Sequence, residues 1–214
     1  MTFQLRYLAM FMVLLSLACE SKGQQSLQNC GEIKSLSLDA EYAQQAGLPE
    51  ISFELKYPTE MEFTPAKAGQ KNYNYATFFS NDEAGNRKEM ISIGYYTMDG
   101  NDEETMDALN ENLLGQFRQM YVNNFELRNE FLGKKEFDGN EYPMFQTIGK
   151  IHRPDAQFVG DYHIQAMLVR PTPKAEVGVV FIFQSNENSA ISSFEDIGKK
   201  GCSSIIWNSL KFKE

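Results

Sequence analysis

The sequence predicts an α+β domain built on a large, mostly antiparallel sheet. Stretches that alternate apolar and polar side chains recur along the chain, the pattern of strands with one buried face. Neighbouring stretches are separated by Gly-, Asn-, Asp- or Pro-bearing turns at hairpin spacing. Helical periodicity falls between and after groups of strands instead of alternating with them, which argues against a parallel sheet.

Residues 39–47 predict a short helix capped by Asp39 and stopped by Gly47. Residues 51–57, Ile-Ser-Phe-Glu-Leu-Lys-Tyr, alternate as a strand that Pro58 ends. Residues 72–80 and 89–97 form a pair of strands around a turn at 81–87, with Ile91, Ile93 and Tyr95 on one face. In residues 101–121 the side chains Met106, Leu109, Leu113, Phe117 and Met120 return every three or four positions, giving one helical stripe. Asn101 and Glu104 have capping-box spacing, and the acids Asp102, Glu103, Glu104 and Asp107 suit the positive end of that helix dipole. Strands are predicted at 125–137 and 144–152 around Asp138-Gly139-Asn140, then at 162–169 and 177–184 around Pro171 and Pro173. A final helix is predicted over about 192–210, with Phe194, Ile197, Gly201, Ile205 and Leu210 near one side. The sheet is too large for one helix to cover.

Two phrases carry a family resemblance: Phe53-Glu54-Leu55-Lys56-Tyr57-Pro58 at an early strand and Asp138-Gly139-Asn140-Glu141-Tyr142-Pro143-Met144 at the mid-chain hairpin. With the long helix between them and a helix closing the chain, residues 48–212 resemble the Mog/PsbP-like family. The resemblance implies an α/β/α sandwich around a mostly antiparallel sheet, and a binding or assembly role. Known members are photosystem accessory proteins and a binder of a small GTPase, and many bacterial members are lipoproteins. No functional residue of the family transfers to this sequence.

The N-terminus has its own pattern. Arg6 precedes an apolar run at residues 8–17, about half the length a membrane-spanning helix needs. A short basic start, a short apolar run and the small Ala18 form a secretory signal peptide over residues 1–18. Leu15-Ser16-Leu17-Ala18-Cys19 resembles the lipobox of bacterial lipoproteins, with Ser16 where Leu is usual. That resemblance implies cleavage before Cys19, acylation of its sulfur and anchorage to a membrane. A membrane anchor needs at least two acyl chains to be stable. Residues 19–29 then comprise the lipidated cysteine and a polar tether whose one sizeable apolar side chain is Leu27. Glu20, in place of the Asp associated with inner-membrane retention, favours an outer-membrane address. The remainder, residues 30–214, suits a single domain.

The formal net charge is −9, and removal of Arg6 with the leader makes the body more acidic. Such a surface argues against nucleic acid as a partner and against electrostatic adhesion to anionic lipid. Cys30 and Cys202 would meet an oxidising compartment after export, where a disulfide persists. If joined, they would clamp the start of the domain to its C-terminal helix, contributing on the order of 4–5 kcal/mol by closing a long loop. Two buried free thiols are the alternative.

His152 and His163, the only histidines, flank a predicted hairpin at 153–162, with Asp155 and Asp161 nearby. If they face each other across the strands they form a zinc or copper set; one residue of register separates that from two solvated side chains. Residues 99–104 concentrate carboxylates but lack the spacing of a calcium loop, and helix capping accounts for them. Tyr73, Tyr75, Phe78, Phe79, Tyr95 and Tyr96 predict either a sheet covered on both faces or an aromatic groove for an apolar or glycan-like ligand.

No Gly-x-Ser-x-Gly, His-Glu-x-x-His, phosphate-cradling loop or dinucleotide fingerprint occurs, so no catalytic residue and no cofactor is assigned. The sequence therefore favours a lipid-anchored, non-enzymatic domain that binds a protein partner in the cell envelope. A small-ligand or metal carrier is the alternative, and an envelope hydrolase acting through paired carboxylates a more distant one.

Overall fold

The structure, a computed structural model, describes residues 30–97, 125–151, 160–172 and 175–213, together with 108, 111, 112 and 115. Two sheets organise these residues. The larger has seven strands: β3 (Glu62–Pro65), β4 (Asn74–Asn81), β5 (Arg87–Thr97), β9 (Val177–Asn186), β8 (Asp161–Val169), β7 (Asn140–Ile151) and β6 (Phe125–Phe137), in that spatial order. Each neighbouring pair is antiparallel. The smaller sheet pairs β1 (Ile33–Leu38) and β10 (Lys211–Phe212) on either side of β2 (Phe53–Pro58), again antiparallel. Two short helices complete the described elements: α1 (Ala40–Ala46) and α2 (Ser203–Ser209).

The α+β class and the large antiparallel sheet are as the sequence predicts. The first helix begins where Asp39 accepts a hydrogen bond from the Tyr42 N–H and ends at Gly47 in the left-handed region, which a residue without Cβ enters freely. The two central hairpins have the expected turns.

The expected helix over 192–210 is not continuous. Residues 194–196 form a single 3-10 turn, and α2 starts only at Ser203. Gly198 and Gly201 lie between them with φ of 81° and 72°, outside the right-handed helical region. Three strands, β1, β3 and β10, were not expected. The predicted helix over 101–121 lies outside the described residues, except that 108, 111, 112 and 115 are helical. The predicted hairpin tip at 153–159 also lies outside them.

Core-facing side chains form rows across the large sheet, because opposed residues share a face. One row is apolar: Ala76, Ile93, Phe181, Met167, Met144 and Gly133. The next is mixed: Phe78, Ile91, Phe183, Gln165, Gln146 and Phe131. The third is polar at its centre: Ser80, Glu89, Ser185, His163, Ile148 and Arg128. Leu38, Phe53, Leu55, Ile206 and Trp207 join the apolar side chains of these rows in one core, between the large sheet and the layer formed by the small sheet and helices. Tyr96, Leu168 and Val180 are buried in a separate cluster. In register, Gly94, Val180 and Leu168 alternate with the core rows and so belong to the opposite face.

Candidate functional site

The third row brings chemistry to one corner of the core, under segment 187–202. Glu89 is buried there and accepts hydrogen bonds from Ser189 Oγ (2.8 Å), Ser203 N (3.1 Å) and Ser203 Oγ (3.0 Å). Its carboxylate thus satisfies donors at the start of α2, which no preceding helical turn can satisfy. Gly201 makes the approach possible: a Cβ there would sit 2.6 Å from a Glu89 carboxylate oxygen.

Lys135 of β6 faces the same layer. Its Nζ donates to the Ile197 carbonyl at 3.0 Å and to the Phe194 carbonyl and Gln165 Oε1 at 3.4 Å each, with the Trp207 ring centroid 5.4 Å away. Gln165 Oε1 also accepts from Gln146 Nε2 at 3.0 Å. Burial pushes the Lys135 ammonium down to about 8; nearby Lys199 adds to this and Glu195 opposes it. These contacts tie an irregular segment to the edge of the sheet.

His163 stands opposite Ser185, its ring edge-on to Phe194 with centroids 5.0 Å apart. Burial lowers its pKa, against the charges of Asp196, Asp161 and Glu195. Gln165 Nε2, Ser185 Oγ and His163 Nδ1 are buried with no hydrogen-bond partner among the described residues. Asp196 is held down to about 2, chiefly by Lys200 and then by the Ser192 N–H and Oγ, against the effect of burial. It is a structural anion and not a poised acid or base.

Of the histidine pair, His152 lies outside the described residues, and Asp155 with it. Asp161 is engaged by Arg128 at 2.7 Å. Among the described residues no group of three or more His, Cys, Asp or Glu side chains is placed to hold a metal ion. The acidic segment 99–104 lies outside the described residues, as do Cys19 and the tether. The six aromatic residues do not line one groove. Tyr75 and Phe78 are buried in the main core, Tyr96 belongs to the separate cluster, Phe79 stacks under the Arg87 guanidinium, and Tyr73 is 63% exposed. Alternation along β4 and β5 sends neighbours to opposite faces, so these side chains are divided between the two sides of the sheet. Among the described residues no helix is long and apolar enough to cross a membrane.

Cys30 and Cys202 are bonded, with Cα atoms 5.4 Å apart. The bond joins a residue three positions before β1 to the residue that precedes α2.

Sequence reasoning passed over Lys135, Glu89 and the exposure of Phe131 and Leu132 on β6. For Lys135 a signal existed: adjacent Lys134 and Lys135 in a strand cannot both face solvent when one face is covered.

No family model matches the chain, and no curated protein matches it by sequence. Among solved structures, it is similar to the solution structure of cyanobacterial PsbP (CyanoP) from Synechocystis sp. PCC 6803. The TM-score is 0.52 at 12% identity, over 86% of this chain and 94% of that one. The fold is therefore PsbP-like.

Proposed function

We propose that this protein is a lipoprotein of the bacterial cell envelope, cleaved before Cys19 and acylated there, whose PsbP-like domain binds or assembles with a protein partner without catalysing a reaction. The Cys30–Cys202 bond carries the reading. Disulfides persist in oxidising compartments, and a leader followed by a lipobox-like cysteine is the route to one. The formal net charge of −9 disfavours adhesion to anionic lipid, so attachment falls to the acyl chains. The PsbP-like fold supports a binding role, as does the way the polar side chains Glu89, Lys135 and Asp196 are used in structural hydrogen bonds. The partner is an envelope protein; nucleic acid does not suit the charge.

The test is intact-mass and peptide mass spectrometry of the protein extracted from membranes of its host. The expected species begins at Cys19 and carries acyl chains, and Cys19→Ala leaves the uncut precursor. A mature species that begins elsewhere or carries no lipid would overturn the anchor. For the binding arm, cross-linking in membranes is expected to capture a recurrent envelope protein, and repeated capture of none would count against it.

A further inference from the structure

Three polar atoms on the core face of the large sheet are buried with no hydrogen-bond partner among the described residues: His163 Nδ1, Gln165 Nε2 and Ser185 Oγ. Gln165 and Ser185 are 1% and 0% exposed. A folded core seldom leaves such groups unpaired, because each has given up the hydrogen bonds that solvent made to it. The three are neighbours. His163 of β8 stands opposite Ser185 of β9, and opposed residues project from one face with Cβ atoms about 4.5–5.5 Å apart. Gln165 follows His163 by two positions, on the same face.

The groups around them are engaged elsewhere. Gln165 Oε1 accepts from Gln146 Nε2 and from Lys135 Nζ, which fixes the orientation of the amide and leaves its nitrogen as the unmet donor. Across β9, Glu89 is the next residue of the row beyond Ser185, and its two oxygens accept from Ser189 and Ser203. Phe194 stands edge-on to the His163 ring, and the Phe194 and Ile197 carbonyls accept from Lys135. Asp196 accepts from Ser192 and pairs with Lys200.

The chemistry of the three atoms selects what can join them. The Gln165 amide nitrogen only donates, so it turns a positive end toward any cation. Among the described residues no group of three or more His, Cys, Asp or Glu side chains is placed to hold a metal. An anion would meet the Glu89 carboxylate one place along the row, and burial favours the neutral His163 ring, which offers it no charge. Water suits all three. It accepts from Gln165 Nε2 and has a donor and an acceptor left for Ser185 Oγ and His163 Nδ1, whichever ring nitrogen carries the proton. Three partners are usual for a buried water. A water about 2.8–3.0 Å from each of two groups spans the separation of opposed side chains.

We propose that His163, Gln165 and Ser185 form an internal water site, in which one ordered water bridges β8 to β9 beneath Phe194. The site lies outside the binding reading above and does not depend on it.

A crystal structure of the protein at a resolution that shows ordered solvent tests it. The expected result is one water-sized peak within about 3.2 Å of all three atoms. Side chains turned so that the three atoms pair with protein groups, or an unfilled gap between them, would overturn the proposal. So would a peak with the anomalous scattering of a metal or the tetrahedral shape of an anion. Oxygen-17 relaxation dispersion of the full chain in mild detergent counts long-lived internal waters in solution. Ser185→Val replaces the hydroxyl with methyl groups that occupy the site, and should lower the count by about one water relative to the parent chain. A folded Ser185→Val chain that keeps the full count would also overturn it, and if that variant does not fold the crystal structure decides alone.

Discussion

Glu89 and Ser203, far apart in sequence, are joined by two hydrogen bonds to one oxygen: Glu89 Oε2 accepts from Ser203 N at 3.1 Å and from Ser203 Oγ at 3.0 Å. With Ser189 on the other oxygen, the carboxylate docks the whole 187–203 segment onto β5. Glu89→Ala is expected to destabilise the domain by about 3 kcal/mol, because it strands buried donors as well as removing charged hydrogen bonds. Urea denaturation under oxidising conditions measures this. Glu89→Gln, which keeps one acceptor oxygen, should lose less.

Gly201 and Gly139 separate two costs of adding a methyl group. Both have positive φ, 72° and 76°. At Gly139 nothing lies within 4 Å of an added Cβ, whereas at Gly201 the Glu89 carboxylate lies 2.6 Å away. Gly139→Ala should therefore cost only the left-handed backbone, roughly 1–2 kcal/mol, and Gly201→Ala clearly more. Thermal unfolding of the two variants side by side gives the comparison.

Lys135 predicts stability that rises with alkalinity. Its pKa is about 8 when folded against 10.5 for the free side chain. Between those values the unfolded chain holds a proton that the folded one releases, so stability grows as pH rises above about 8. The window closes near pH 10, where Tyr75 and Tyr96, raised by burial, act in the opposite direction. Denaturation midpoints at pH 7.5 and 9.5 should show the rise, and Lys135→Met should flatten it.

His163 acts on the acid side. Burial lowers its pKa below 6.5, so the unfolded chain binds a proton first as pH falls. Its contribution is intact above pH 6.5 and is lost as pH falls from there through the folded value. His163→Gln should remove that part of the slope between pH 7 and 5. Titration of the ring by NMR gives the folded value directly; a midpoint at or above 6.5 would contradict the burial argument.

Reduction of Cys30–Cys202, or Cys202→Ser, should cost on the order of 4–5 kcal/mol if loop closure in the unfolded chain dominates. The denaturation midpoint with and without reductant measures it. The bonded residues are 172 positions apart.

The strands were legible because period-two alternation and turn residues agree: Ile91 and Ile93 turn inward, and Asp138-Gly139 reverses the chain at positive φ. The end of the chain misled for a physical reason. Phe194, Ile197, Gly201 and Ile205 recur at helical spacing, yet two glycines, Gly198 and Gly201, break the backbone where Glu89 must approach. β1 was hidden because most of its side chains are exposed at the edge of a small sheet, so its alternation is weak. The polar row needed three-dimensional register: nothing local in Glu89, Ser185 or His163 says that they stand side by side. The exposure of Phe131 and Leu132 needed topology, since an adjacent Phe-Leu pair reads as core until its strand is seen to stand, among the described elements, at the end of the sheet.

The sulfur bridge has a mechanical side. Tension entering at residue 30 from the N-terminal side would, without the bond, peel β1 from β2 one rung at a time. With it, the load divides at Cys30 and passes covalently to Cys202, at the head of α2, which leads into β10 on the far side of β2. Strands on both flanks of β2 then share the pull, and the bridge turns a zipper into a rivet.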